Sequence, residues 1–128
     1  MRFSVIIPTI NRVKETKLML DSLLIQTFTD FEVLLIDQNN GGLLNQLVSS
    51  YNDRLLVKQI KTTIRGASNA RNTGVRHAQG EILLFPDDDC EFHRDYLEEV
   101  NSYFNETIVD GIVTSTKDKE GKILDVRV

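Results

Sequence analysis

Short apolar runs alternate with amphipathic segments along most of the chain. Runs that are rich in branched aliphatic residues predict buried β-strands. Four such strands are predicted, at residues 3–7, 31–36, 55–60 and 82–85. The third run contains Lys58 and Gln59 and is the least apolar, so we expect it near a sheet edge. The fourth run is uninterrupted and predicts a strand buried on both faces.

The segments that follow these runs carry apolar residues at helical spacing. They predict helices over residues 11–26, 43–51, 67–78 and 94–104. Asn11 is a suitable N-cap for the first helix, and Gly80 stands where the third helix would have a C-cap glycine. The predicted buried face of the first helix carries Val13, Leu20, Leu23 and Leu24, with Met19 at its margin. The third helix has a face of small residues that would let it pack closely on a sheet, namely Ala67, Ala70, Gly74 and Ala78.

This alternation of strands and helices predicts an α/β fold with three layers. We expect an open, mostly parallel sheet with helices on both faces and right-handed crossovers. Residues 108–114 predict a fifth strand, and residues 123–128 predict a strand that returns as a hairpin. No linker or repeat interrupts the pattern, so residues 1–128 are interpreted as one domain.

Polar residues directly follow three of the predicted strands. Thr9 comes after the first strand, Asp37 after the second and Asp87–Asp89 after the fourth. Parallel strands end at one edge of a sheet, and ligands of such sheets bind outside those carboxyl ends. The sequence therefore predicts a ligand site at this edge.

Three consecutive carboxylates, Asp87 to Asp89, are the most distinctive polar feature. Without a nearby cation they repel one another and raise each other's pKa. The simplest partner is a hard divalent cation, and Mg²⁺ or Mn²⁺ suits one or two carboxylates better than Ca²⁺ does. Asp87 and Asp89 form a D-x-D arrangement in which Asp89 is the best direct ligand. The alternative is a solvated acidic turn that caps the next helix.

Arg71 and Asp37 are the other candidate site residues. Arg71 lies on the small-residue face of its helix, where an unpaired guanidinium would be unfavourable. It is expected to pair with Asp37, with the acidic cluster or with a ligand phosphate, or else to form a purely structural ion pair. Asp37 either accepts from a base N–H or a ribose hydroxyl, or caps a turn.

Composition narrows the class of protein. The chain has 128 residues, 41% hydrophobic and 27% charged, as in ordinary globular domains. A net charge of −4 argues against non-specific nucleic-acid binding. One cysteine excludes an internal disulfide, and two histidines are too few to suggest a zinc enzyme. No apolar run reaches the roughly 20 residues of a membrane span, and the chain opens on a strand rather than a signal peptide, so we expect a cytoplasmic protein.

Several segments, in this order and spacing, resemble the family 2 glycosyltransferases of the GT-A fold. The similarity covers residues from about 3 to 105. It is carried by Ser4–Arg12 (SVIIPTINR), Gln26–Phe28 (QTF), Phe31–Asp37 (FEVLLID), Gly66–Gly74 (GASNARNTG) and Gly80–Asp89 (GEILLFPDDD). The chain departs from the family pattern at Ile10, Gln38 and Cys90, where an aromatic residue and two further acidic residues are usual.

The resemblance implies roles by position. Asp37 would contact the base, and Arg71 the nucleotide or its diphosphate. Asp87 and Asp89 would hold the sugar nucleotide through Mn²⁺ or Mg²⁺. The residues implied in nucleotide binding are Pro8, Thr9, Asn11, Asp37, Arg71 and Asp88.

The resemblance also implies a reaction, the inverting transfer of a sugar from a nucleoside-diphosphate sugar, UDP-sugar being preferred, to a saccharide or lipid-linked acceptor. The catalytic base of this family lies later in the sequence, beyond residue 128. We therefore expect a GT-A domain whose C-terminal part is missing, located in the cytoplasm or at the inner face of the membrane, and a homo-oligomer is one expected state. One alternative is a binding-only module. Another is a sugar-phosphate nucleotidyltransferase, which residues 8–12 disfavour because they lack glycine.

Overall fold

Four parallel strands form the central sheet of the protein. The computed structural model describes residues 1–112, 116–117 and 123–125. The strands are β1 (Phe3–Thr9), β2 (Phe31–Asp37), β3 (Val57–Lys61) and β4 (Ile82–Leu84), in the order β3-β2-β1-β4. The helices are α1 (Val13–Leu24), α2 (Asn45–Ser49), α3 (Ala67–His77) and α4 (Tyr96–Glu106). The predicted parallel α/β architecture is confirmed, and β3 lies at a sheet edge as expected.

The chain divides into two compact units, Met1–Glu98 and Glu99–Val128. The first unit holds the four-stranded sheet. In the second, β5 (Thr116–Lys117) pairs antiparallel with β6 (Ile123–Asp125). Residues 123–125 of the predicted returning strand therefore pair antiparallel as expected, but with residues 116–117 and not with 108–114. The predicted fifth strand at 108–114 is wrong over residues 108–112, which form no strand, and its last two residues lie outside the described part. No helix among the described residues is long and apolar enough to cross a bilayer.

Strands β1 and β2 are buried along their whole length. On one face of the sheet, Ile6, Leu34 and Ile36 form a core cluster with Ala70 of α3. Side chains alternate between faces along a strand, so Thr9 lies on the opposite face, where its Oγ1 is 3.1 Å from Thr16 Oγ1 of α1. Helices therefore pack on both faces of the sheet.

Helix α3 lies close to the sheet because of Gly74. A Cβ at this position would overlap the side chain of Ile6. Ala70 and Gly74 are the buried residues of α3. The predicted small-residue face is thus correct at these two positions and wrong at Ala67, which is exposed.

Two predicted helix boundaries are wrong. Asn11 is not the N-cap of α1, because it adopts a left-handed conformation (φ 58°) and Arg12 occupies the cap position. Val13, predicted on the buried face of this helix, is 37% exposed, while Met19, predicted at the margin of that face, is fully buried. Gly80 is not a C-cap, since α3 ends at His77 and the chain has become extended at residue 78.

Gly80 instead marks a close approach between the chain and β1. A Cβ at Gly80 would lie 2.5 Å from the carbonyl carbon of Phe3 and 2.5 Å from the backbone nitrogen of Ser4. Carbon atoms do not approach backbone atoms this closely. The position therefore requires glycine for space.

Strand β4 is shorter than predicted and is not buried on both faces. Ile82–Leu84 are half-buried, and Phe85 is 46% exposed. In the described sheet β4 pairs with β1 alone, so it forms the second edge of the sheet. An uninterrupted apolar run does not distinguish an edge strand from a central one, and this accounts for the error.

Glu32 is a charged side chain inside the sheet, with 0% of its surface exposed. Its Oε1 accepts hydrogen bonds of 2.8 Å from Ser4 Oγ and from the Gln79 backbone N–H, and its Oε2 lies 3.1 Å from Lys58 Nζ. Ser4 Oγ accepts in turn from the Gly80 N–H at 2.8 Å. Burial raises the pKa of Glu32, but the hydrogen bonds and the ammonium outweigh it and hold the pKa below its usual range. This network fastens the α3–β4 connection to the sheet.

Candidate functional site

The carboxyl ends of the strands bring the predicted polar residues to one edge. Thr9 and Asp37 are direct neighbours in the parallel register of β1 and β2, and Pro8 is buried one position before Thr9. Asp88, in the loop after β4, accepts a hydrogen bond from the Thr9 side chain. The expected convergence of the three strand ends is therefore present.

Two of the three consecutive carboxylates point outward. The side chains of Asp87 and Asp89 are 58% and 54% exposed. An oxygen from each and the Cys90 sulfur all lie within 4.8 Å of one another. Burial is the main cause that raises the pKa of the Cys90 thiol, and sulfur is a soft donor that hard cations such as Mg²⁺ do not prefer. The two carboxylates alone are a donor set that fits Mg²⁺ or Mn²⁺.

Asp88, between them, turns inward. Its side chain is 14% exposed and contacts Thr9 and Arg12. Burial raises the pKa of Asp88, although the Thr9 hydroxyl and the Arg12 guanidinium act against that rise. Asp87 and Asp89 thus point outward, while Asp88 between them secures the loop to β1.

Each carboxylate of this acidic loop (residues 87–89) lies near a guanidinium. Arg71 Nη2 is 3.3 Å from Asp87 Oδ1. Arg12 Nε is 3.5 Å from Asp88 Oδ1, and Arg12 Nη1 is 3.8 Å from Asp89 Oδ2. Of the partners expected for Arg71, the one that it contacts in the structure is the acidic loop. These two cations explain how three adjacent aspartates are accommodated.

Arg71 retains an unused donor. Its Nε is buried and has no hydrogen-bond partner among the described residues. A buried N–H without an acceptor destabilises the state that contains it. The guanidinium would therefore gain from an anionic acceptor.

Asp37 is fully buried, and both of its oxygens are engaged. Oδ1 accepts from the backbone and side-chain nitrogens of Asn39, each at 2.9 Å. Oδ2 accepts from Gln59 Nε2 at 2.8 Å and from Lys61 Nζ at 3.1 Å. A carboxylate has about four acceptor positions, so a base N–H could bind Asp37 only if one of these donors moved. Lys61 is a donor that could move, because its side chain is 43% exposed and its Nζ also donates to the carbonyl oxygens of Asn39 and Gly41.

We expect replacement of Asp37 by asparagine to destabilise the protein at neutral pH by about 2 kcal/mol, because an amide cannot accept from all four donors. Burial raises the pKa of Asp37, but its hydrogen bonds outweigh burial and lower it. The carboxylate therefore stabilises the fold above its ordinary pKa of 3.8 and loses this effect as the pH falls through the lower folded value. Urea unfolding at about pH 7 and about pH 3 should show a stability gap between wild type and Asp37→Asn that narrows in acid. An equal gap at both pH values would contradict the role of the charge.

Two side chains connect the loops around the site, a role that the sequence analysis did not predict for them. Asn39 Oδ1 accepts from the Asn11 backbone N–H at 2.6 Å, and Gln38 Oε1 accepts from the Gly66 N–H at 2.8 Å. The loops after β1 and β2 and the start of α3 are thereby joined. The signal for these residues was weak, since Gln38 and Asn39 follow Asp37 in a segment whose composition indicates only a loop.

Comparison with known proteins agrees with this geometry. The sequence model of glycosyl transferase family 2 matches residues 4–127. The chain belongs to this family. Within it, the chain is 32% identical over 126 residues to the poly(ribitol-phosphate) beta-N-acetylglucosaminyltransferase TarS of Staphylococcus aureus strain Mu50, covering 95% of this chain and 22% of that relative.

Solved structures of glycosyltransferases have the same fold. The crystal structure of S. aureus TarS 1-349 in complex with UDP superposes with a TM-score of 0.77 at 29% identity, over 90% of this chain and 39% of the other. The mannosyltransferase PcManGT from Pyrobaculum calidifontis, in complex with GDP-Man and Mn²⁺, gives a TM-score of 0.65 at 29% identity, over 71% and 28%. The GT-A expectation is confirmed. The chain spans about a fifth of the curated relative's length and under half of each solved chain.

Proposed function

We propose that this chain binds the nucleoside-diphosphate sugar of an inverting glycosyltransferase, with UDP as the preferred nucleotide. The observation that carries the proposal is the position of Asp87 and Asp89. They form an outward-facing carboxylate pair beside Arg71, in a loop held against the carboxyl end of β1. The fold is similar to that of TarS, which has been solved with UDP.

Asp87 and Asp89 are proposed to hold Mn²⁺ or Mg²⁺, with Asp89 as the principal ligand. A divalent cation bound there would neutralise the negative charge that develops on the departing diphosphate. Carboxylates with substrate phosphates are the usual ligands of such cations, and a structural relative contains Mn²⁺ with GDP-Man.

The remaining site residues are proposed to bind and orient the nucleotide. Arg71 would turn its fork of N–H donors from Asp87 to the diphosphate, which would also give its Nε an acceptor. Asp37 would accept from the base after Lys61 moves aside. Pro8, Thr9 and Asn11 would line the pocket, and Asp88 would hold the acidic loop against Thr9. We propose that the catalytic base comes from outside residues 1–128, because the carboxylates placed at this edge serve the donor.

The acceptor and the cellular location are part of the same proposal. A saccharide or lipid-linked hydroxyl would attack the anomeric carbon, in the cytoplasm or at the inner face of the membrane. The half-buried edge strand β4 offers backbone groups to a second copy, which supports a homo-oligomer.

Calorimetry with UDP tests the nucleotide site. We expect binding in the presence of Mn²⁺ and much weaker binding without it. Replacing Asp89 by alanine should remove the metal dependence and weaken UDP binding by about a hundredfold, since it removes a direct ligand. Asp53→Ala is the control. Asp53 is an exposed carboxylate just before β3, so it lies at the amino ends of the strands and the proposed site lies at their carboxyl ends. An absence of heat at millimolar UDP in both conditions would refute the proposed function.

A binding-only module is the second candidate. It would use the same donor pocket without transfer, since the carboxylates placed at the carboxyl ends of the strands are all assigned to the donor. A transfer assay with UDP-sugar, comparing this chain with a longer version, separates the two. Transfer by the 128-residue chain alone would exclude the binding-only function.

A further inference from the structure

Arg12 spans two carboxylates of the acidic loop. Its Nε lies 3.5 Å from Asp88 Oδ1 and its Nη1 lies 3.8 Å from Asp89 Oδ2. Arg71, in comparison, contacts Asp87. Arg12 is thus the guanidinium that shares Asp89, the carboxylate proposed as the principal metal ligand.

The backbone of Arg12 is fixed while its side chain has freedom to move. The preceding residue, Asn11, is held in its left-handed conformation by the hydrogen bond from its N–H to Asn39 Oδ1. The carbonyl oxygen of Arg12 accepts from the Thr16 N–H at 2.9 Å. Its side chain is 49% exposed. The guanidinium can therefore change partners without any change in the loop that carries it.

A divalent cation and the Arg12 guanidinium compete for the Asp89 carboxylate. Both are positive, so a cation on Asp89 is repelled by a guanidinium a few ångströms away. A diphosphate changes this balance, because its oxygens accept the two parallel N–H bonds that an arginine fork donates. A cation that arrives with a diphosphate gives Arg12 a new partner, whereas a cation alone does not.

We propose that Arg12 couples cation binding to nucleotide binding. Without nucleotide, the Arg12 guanidinium pairs with Asp88 and Asp89, and its positive charge lowers the affinity of the loop for a free divalent cation. When the cation and the nucleotide bind together, the guanidinium turns to the diphosphate. This inference rests on the proposed function, since it takes a nucleoside diphosphate as the ligand. Arg12 is thereby assigned a role in the thermodynamic coupling between cation binding and nucleotide binding.

The test is a titration with Mn²⁺, alone and with UDP, in which the electron paramagnetic resonance signal of free Mn²⁺ reports binding. We expect Arg12→Gln to bind Mn²⁺ alone at least about fivefold more tightly than wild type. UDP raises the affinity of wild type for Mn²⁺, and in Arg12→Gln this rise should be smaller by a similar factor. Arg76→Gln removes an equal charge from the last turn of α3 and should behave as wild type. Arg12→Lys keeps the positive charge and should still exclude free Mn²⁺. A melting curve verifies that each variant is folded.

The outcomes separate this inference from the function it rests on. If Arg12→Gln gains no affinity for Mn²⁺ alone, or if Arg12→Lys gains as much as Arg12→Gln, the inference is overturned. If wild type binds no UDP with Mn²⁺, the proposed function fails, and the comparison with Mn²⁺ alone still decides whether Arg12 excludes the cation.

Discussion

Replacing Gly80 with alanine is expected to lower the free energy of unfolding by about 3 kcal/mol or more. The added methyl group would lie 2.5 Å from two backbone atoms of β1, at Phe3 and Ser4. A backbone inside a parallel sheet cannot move without breaking its ladder, so the clash must push the α3–β4 connection away. That movement would also break the hydrogen bond from the Gly80 N–H to Ser4 Oγ. Urea unfolding followed by circular dichroism measures the loss.

Two other glycines provide graded controls for Gly80. A Cβ at Gly74 meets the side chain of Ile6, which can shift in part, so Gly74→Ala should cost less than Gly80→Ala. A Cβ at Gly111 meets nothing within 4 Å, and Gly111→Ala should be neutral to within about 0.5 kcal/mol. If Gly80→Ala were as stable as Gly111→Ala, the close approach described here would be wrong.

The second large effect is expected at Glu32, where alanine should destabilise the fold by about 3 kcal/mol. The substitution leaves the Ser4 hydroxyl and the Gln79 N–H without their buried acceptor. The Lys58 ammonium contributes less to the loss because its side chain is 40% exposed and can turn to water. Thermal and urea unfolding at neutral pH give the difference from wild type.

Glutamine at position 32 distinguishes hydrogen bonding from charge. Glu32→Gln keeps an acceptor for Ser4 and Gln79 and loses only the attraction to Lys58, so we expect about 1 kcal/mol. Glu81→Ala is the surface control, because its pair with Arg2 at 3.3 Å is exposed and should contribute under about 1 kcal/mol. Equal losses from the alanine and glutamine variants at position 32 would show that the charge, and not the acceptor oxygen, matters.

Apolar patterns were sufficient to predict the sheet but not its details. Strands β1 and β2 were correctly predicted because aliphatic runs that end at polar residues have few other interpretations. The same rule failed to show that β4 is an edge strand, since the position of a strand depends on its neighbours. It also gave no sign that Glu32 sits inside β2 with two hydrogen-bond donors and an ammonium group beside it, because a single polar residue in an apolar run carries no information about its partners.

The residues of the candidate site could likewise be predicted from the sequence only in part. Asp37, Arg71 and the acidic loop could be found from their places after predicted strands or on a predicted helix face. Arg12 and Lys61 could not, because their pairing depends on the path of loops that local sequence does not determine. Asn11 illustrates the limit most directly. Its residue type suits an N-cap and a left-handed turn equally, and only the contact with Asn39 decides between them.

The bonds that Gln38 and Asn39 make to Gly66 and Asn11 have a consequence for the kinetics of recognition. Three loops around the proposed nucleotide site are joined to one another by the protein's own side chains. Their conformational entropy is lost when the chain folds, so a ligand need not order them when it arrives. Association would then proceed as a single encounter step without a slow ordering phase, and differences in affinity among nucleotides would arise in their dissociation rates.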